Sequence, residues 1–111
     1  MQITHEREQE VTVLTLSGRL DTQYASDFET TILDHIGQGA RFFLIDCSAV
    51  DYMNSAGLKV LLLAAKKLET DGGRIVLCGL MPNVKTVFEL TGFDKLFEIR
   101  PTRGEARSIF G

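Results

Sequence analysis

The segment Asp51–Lys59 (DYMNSAGLK) places a serine at the predicted start of a helix. Asn54 is a favourable N-cap residue, and Ser55, Ala56 and Gly57 fill the first helical turn after it. The N–H groups of a first turn lack partners within the helix, and the helix dipole is positive at this end. A phosphate on Ser55 could be held by these amides. The pattern indicates anion chemistry, although serine is also common at helix starts simply because it is tolerated there.

A phosphate on Ser55 would add nearly two negative charges to the surface beside it. Gly57 weakens a helix by roughly 1 kcal/mol relative to alanine, and together with Ala56 it predicts a helix terminus that is sterically open. We therefore expect a partner protein to dock on small and apolar side chains here and to be released by the added charge. The candidate contact residues in this segment are Tyr52, Met53, Asn54, Ala56, Gly57 and Lys59.

No catalytic constellation is found elsewhere in the chain. The two histidines, His5 and His35, are predicted to be solvated surface side chains. Asp46 and Asp51 are interpreted as loop carboxylates at a strand end. There is no HExxH motif, CxxC pair or GxxxxGK[ST] phosphate loop. The sequence therefore predicts a protein that is not an enzyme and that needs no metal and no cofactor.

Length and composition favour one globular domain over residues 1–111, with 44% hydrophobic and 24% charged residues. The net charge of -3 argues against nucleic-acid binding, which requires a clustered basic surface. Cys47 and Cys78 lie in apolar runs and are expected to be buried, reduced thiols. No signal peptide and no apolar stretch long enough to span a bilayer is recognised. We expect a cytoplasmic protein without direct membrane insertion.

Hydrophobic periodicity predicts strands that alternate with helices. The predicted strands are Ile3–Arg7, Val11–Ser17 (ended by Gly18), Arg41–Asp46, Arg74–Cys78 and Phe97–Arg100. The predicted helices begin after Asp21 or Thr22, at Ser55, at Pro82 and at Pro101, and they end near Gly37, Glu69, Gly92 and Phe110. This order predicts an α/β fold with a mixed, mostly parallel central sheet of about four to five strands packed with about four helices.

At Tyr52–Leu62 (YMNSAGLKVLL) the chain resembles the signature of the STAS domain, which occurs in bacterial anti-sigma-factor antagonists. Other segments are similar to this family in the same order. They are Leu16–Asp21 (LSGRLD), Phe43–Val50 (FLIDCSAV) and Pro82–Phe93 (PNVKTVFELTGF). Asp21 matches a family aspartate in the loop near the phosphorylated serine, so the resemblance implies that Asp21, with Thr22 beside it, helps to form the docking surface.

The resemblance also implies a mechanism of partner switching. An unphosphorylated antagonist binds an anti-sigma factor that is itself a serine kinase, and the sigma factor is released. The kinase then phosphorylates the serine that matches Ser55, and the complex dissociates. A metal-dependent serine phosphatase of the PPM type resets the system. ATP and Mg²⁺ are bound by the kinase and not by this chain.

One residue departs from the family pattern, because Asn54 stands where aspartate is typical. Asparagine keeps the capping oxygen and loses a charge, so the kinase would recognise this site differently or not use it. Two alternatives remain open. The chain could be an accessory subunit of a membrane transporter of the lipid ABC type that needs no phosphorylation, or a partner-switching regulator whose target is not a sigma factor.

Overall fold

The computed structural model describes all residues, 1–111, and contains one five-stranded sheet. The strands are β1 (Gln2–Glu8), β2 (Val11–Leu20), β3 (Phe42–Met53), β4 (Arg74–Cys78) and β5 (Glu98–Arg100). The helices are α1 (Thr22–Gly37), α2 (Ser55–Thr70), α3 (Pro82–Thr91) and α4 (Arg103–Ser108), with a 3₁₀ turn at Phe93–Lys95. The predicted α/β class is confirmed. None of the helices combines the length and the apolar character needed to cross a membrane.

The strands lie in the order β1-β2-β3-β4-β5, so each new strand is added to the same side of the sheet. The β1–β2 pair is antiparallel and turns at Gln9, which has a positive φ of 59°, whereas the other pairs are parallel. Right-handed crossovers between successive parallel strands place α1, α2 and α3 on one face. The carboxyl ends of β2, β3 and β4 therefore share one edge of the sheet.

The larger core lies between this face and the three helices. For α1, the helical spacing of Ala25, Phe28, Ile32 and Ile36 predicts an apolar stripe, and all four residues are buried. For α2, hydrophobic periodicity in the sequence predicts an inner face of Leu58, Leu61, Leu62, Ala65 and Leu68. The structure buries Leu58, Leu61 and Leu68 and leaves Leu62 and Ala65 half-buried, with Val60 and Ala64 buried instead. This rotation has a physical reason, since α2 packs against α1 as well as against the sheet.

A smaller core on the opposite face is covered by α4. It contains Val11, Val13, Leu44, Val76, Cys78 and Ala106. Three ion pairs hold α4 against β1, since Arg103 contacts both Glu6 and Glu8 and Arg107 contacts Glu8. The last helix was predicted over 101–110 and is shorter, because Pro101 and Thr102 precede its first turn and Thr102 provides the N-cap.

Two strands are longer than the sequence predicted. Gly18 was expected to end β2, but the strand continues to Leu20 because glycine accepts a φ of 98° at a point where the pairing with β3 shifts register. β3 was expected to end at Asp46 and reaches Met53. Asp51 and Tyr52 are therefore held in a hydrogen-bonded strand and not in a loop.

Candidate functional site

Ser55 is the first residue of α2 and is exposed at the carboxyl edge of the sheet. The backbone N–H of Asn54 donates to the Leu20 carbonyl at 3.3 Å, and this hydrogen bond joins the end of β3 to the end of β2. The Asn54 side-chain oxygen then accepts the Ala56 N–H at 3.0 Å, so the predicted N-cap is confirmed. The backbone amides of Ser55 and Gly57 have no acceptor in the chain. The arrangement offers unpaired donors to an anion at Ser55.

A second helix N-terminus lies directly beside the first. Asp21 caps α1 by accepting the N–H groups of Gln23 at 3.1 Å and Tyr24 at 3.3 Å. The Asn54 side-chain NH₂ donates to the Thr22 hydroxyl at 3.2 Å, which connects the two caps through side chains. An aspartate at position 54 could not make this donation while ionised. The asparagine at position 54, where the family typically has aspartate, thus makes a hydrogen bond to Thr22 that an ionised aspartate could not make.

An aromatic and a cationic side chain stand next to the caps. Arg19 and Tyr52 are cross-strand neighbours on β2 and β3, and the guanidinium carbon lies 4.2 Å from the centre of the Tyr52 ring. The Arg19 Nε is also 3.6 Å from an Asp21 carboxylate oxygen. These contacts orient the Tyr52 ring, which is 37% exposed. Tyr52 is thus held in a fixed orientation with its ring partly exposed.

A shallow groove of about 320 Å³ runs between α1 and α2 from the Ser55 end of the molecule. Its lining residues are Thr22, Ala25, Ser26, Glu29, Ala56, Lys59, Val60 and Leu63. The floor is made of small or apolar side chains, and Leu63 is a large apolar residue that remains 45% exposed. A helix or loop of another protein with apolar side chains fits such a surface.

Two predicted contact residues belong to the interior. Met53 is only 2% exposed and is part of the larger core, because it points towards the helices at the end of β3. Gly57 is buried because α2 approaches β2 closely there, and a Cβ atom at this position would lie 2.7 Å from Leu20 Cγ. The open terminus predicted from two small residues is therefore partly wrong. Ala56 borders the groove, whereas Gly57 has no side chain and therefore leaves space for Leu20 of β2.

The structure brings the remaining predicted residues together and adds others. Asp21, Thr22, Tyr52, Asn54, Ser55, Ala56 and Lys59 all lie at or beside the two helix N-termini. Sequence reasoning missed Arg19, because its contact with Tyr52 depends on the β2–β3 register. It also missed Asn83, whose side chain donates to the Asp51 carbonyl at 2.7 Å and fixes the same end of β3 from α3.

The histidines and cysteines lie away from this site. His35 is half-buried and not a solvated side chain as predicted, because its ring packs against His5 and Phe43. Burial, and to a lesser extent His5, lower the pKa of His35 below its ordinary value. Cys47 and Cys78 are buried free thiols, as expected.

The sheet with its three helices on one face and the exposed serine at a helix N-terminus define a class of small α/β domains. The STAS domain model matches residues 2–106, and the chain belongs to the STAS domain family.

Known proteins resemble the chain over nearly its whole length. BtrV of Bordetella bronchiseptica, provisionally named as an anti-sigma factor antagonist, is 34% identical over 110 residues, which are 99% of this chain and 95% of BtrV. An anti-sigma factor antagonist from Mycobacterium paratuberculosis has a TM-score of 0.89 at 30% identity, covering 97% and 92% of the two chains. The phosphorylated form of the Bacillus cell fate determinant SpoIIAA has a TM-score of 0.77 at 25% identity, covering 99% and 100%.

Proposed function

We propose that this chain is an anti-sigma-factor antagonist controlled by phosphorylation of Ser55. The unphosphorylated form binds an anti-sigma factor that is also a serine kinase, and this binding releases a sigma factor. The observation that carries the proposal is the exposed Ser55 hydroxyl at a helix N-terminus whose first amides are unpaired. Both a kinase and a phosphate group can reach such a position without unfolding α2.

The relatives support the same function. The protein from Mycobacterium paratuberculosis is named as an anti-sigma factor antagonist, and SpoIIAA has been solved in a phosphorylated form. Both share the fold of this chain over at least 97% of its length. Control of this chain by phosphorylation would therefore require no change of fold.

The proposed docking surface combines the two caps, Tyr52 and the start of the groove. Asp21, Thr22 and Asn54 offer polar groups there, and Ala56 and Lys59 border the groove. A phosphate on Ser55 brings about two negative charges to a surface that already carries Asp21. A partner that packs closely on this surface would have to desolvate those charges, so the phosphorylated complex dissociates.

The remaining components follow from this mechanism. The kinase binds ATP and Mg²⁺, a PPM-type phosphatase removes the phosphate, and this chain acts by binding alone in the cytoplasm. A non-sigma target would use the same surface and the same switch. An accessory subunit of a transporter would use the surface without the switch.

The first test is intact-mass analysis after incubation with Mg-ATP and a lysate of the source cells. We expect one added phosphate on the wild-type chain and none on Ser55→Ala. Ser26→Ala, which removes an exposed hydroxyl from the groove, should be phosphorylated like the wild type. An unmodified wild-type chain, in a lysate that labels a control substrate, would contradict the switch and favour the accessory subunit.

A further inference from the structure

The only two histidines of the chain come together although they are thirty residues apart in sequence. His5 lies on β1 opposite Leu14, a residue of the larger core, so its side chain is on the helix-covered face of the sheet. His35 lies in the last turn of α1. Their ring centres are 5.0 Å apart, with an angle of 62° between the rings.

This spacing of the ring centres is compatible with a shared metal ion. A zinc ion lies about 2.1 Å from each ligating nitrogen, which places the centres of two imidazoles in a tetrahedral site about 5 Å apart. Imidazole is a preferred ligand of Zn²⁺, Cu²⁺ and Ni²⁺. We propose that His5 and His35 jointly bind one divalent transition-metal ion, with Zn²⁺ as the representative.

The surroundings leave room for an ion and its water. A groove of about 260 Å³ opens over the two rings and is also lined by Thr12 and Gln38. No cluster of three or more His, Cys, Asp or Glu side chains could enclose an ion in this chain. The proposed site would therefore have two histidine ligands and be completed by water, and Gln38 lines the same groove.

The nearby charges do not block the site. Arg7 also lines the groove, but its Nε donates to the Gln9 carbonyl at 2.9 Å, towards the β1–β2 turn. Glu6 also lines the groove, but its carboxylate pairs with Arg103 of α4. Asp34 is adjacent to His35 and adds negative charge. An ion bound here would connect the edge strand β1 to α1.

The proposed site is separate from Ser55. α1 begins beside Ser55 at Thr22 and carries His35 in its last turn, so about 20 Å of helix lies between them. Metal binding at one end and phosphorylation at the other are therefore independent properties that can be tested separately.

Isothermal titration of the untagged chain with Zn²⁺ tests the proposal. We expect saturable binding of one ion to the wild type, and at least a tenfold weaker affinity for both His5→Gln and His35→Gln. Thr4→Gln is the matched control, since it introduces the same side chain at a neighbouring exposed β1 position outside this groove and should bind like the wild type. Circular dichroism confirms that each variant is folded.

A second measurement keeps the result interpretable if one variant loses stability. In the wild type, the side-chain NMR resonances of His5 and His35 should shift together during the same Zn²⁺ titration. Wild-type affinity in either histidine variant, a shift of only one ring, or no saturable binding below about 1 mM would overturn the proposal.

Discussion

Ser55 and Gly57 lie in the same turn of α2 and have opposite roles. Ser55 is exposed, whereas Gly57 is buried against Leu20. Tyr52 and Met53 on β3 differ in the same way, because successive residues of a strand point to opposite faces. Tyr52 is exposed and Met53 is buried. The exposed residues of the proposed docking surface are thus supported by buried residues that fix the position of α2.

A negative charge at Ser55 is expected to weaken partner binding without disturbing the fold. In Ser55→Asp a carboxylate stands at a helix N-terminus, where it is tolerated, but a docked partner must desolvate it. We expect at least a tenfold loss of affinity for the anti-sigma factor, measured by titration calorimetry, with an unchanged unfolding midpoint. Ser108→Asp adds the same charge on α4 and should bind like the wild type. Full affinity of Ser55→Asp would contradict release by charge.

Gly57→Ala is expected to destabilise the chain. The added Cβ meets Leu20 Cγ at 2.7 Å and Cδ2 at 2.9 Å, and Leu20 is fully buried, so it has little room to move. Overpacking of this kind costs about 1–3 kcal/mol, from which about 1 kcal/mol of improved helix propensity is subtracted. We expect a net loss of up to about 2 kcal/mol in urea denaturation.

Gly104→Ala is the matched control for this substitution. Gly104 also lies in a helix, and nothing lies within 4 Å of the Cβ position. The change should therefore stabilise the chain by up to about 1 kcal/mol. A Gly57→Ala variant as stable as Gly104→Ala would show that the close approach of α2 to β2 is not required.

The two capped helix starts act as one element, because the Asn54 side chain caps α2 and donates to Thr22 in α1. Asn54→Ala removes both hydrogen bonds and should cost about 1 kcal/mol in the free energy of unfolding. Asn54→Asp keeps the acceptor for the Ala56 N–H and adds a charge that the helix dipole favours, which offsets the lost donation. Urea denaturation should place Asn54→Asp near the wild type. Equal stability of Asn54→Ala would contradict the structural role of the cap.

Helices and strands that are defined by local hydrophobic periodicity and by flanking glycine or proline residues could be predicted from the sequence. β4 and α3 were predicted with their observed first residues, because Arg74 follows a glycine pair and Pro82 is favourable at a helix start. The end of β3 could not be predicted, since Asp51–Met53 have no alternating pattern and are held by pairing with Arg19 and Leu20. Contacts between distant segments, such as Arg19 with Tyr52 and His5 with His35, likewise depend on tertiary structure.

The sheet separates two hydrophobic cores, and these cores are covered by helices to different extents. The larger core is covered by three helices, and the smaller one is covered by the short α4. Part of what holds α4 is the pairing of Arg103 with Glu6 and Glu8, and these side chains are 36–55% exposed. Exposed ion pairs contribute at most about 1 kcal/mol each, so α4 should open more readily than the helical layer.

The reactivity of the two thiols can show whether the smaller core opens more readily than the larger one, because each thiol lies in a different core. Cys47 belongs to the larger core and Cys78 to the smaller one on the opposite face of the sheet, and both are free thiols. Burial raises the pKa of Cys78 to about 11, and it raises that of Cys47 further, so neither thiol is reactive in the closed state. Labelling near neutral pH therefore requires opening of the core that covers the thiol.

We expect Cys78 to react with a thiol reagent faster than Cys47 in the native chain. Single-thiol variants, Cys47→Ala and Cys78→Ala, assign the two rates by mass spectrometry, and each rate is corrected for the stability of its variant. Raising the salt concentration should accelerate labelling of Cys78 more than that of Cys47, because it screens the ion pairs of Arg103. Equal rates under all conditions would mean that both cores open only in one global unfolding event, and that α4 is as firmly held as the helices that carry the proposed switch.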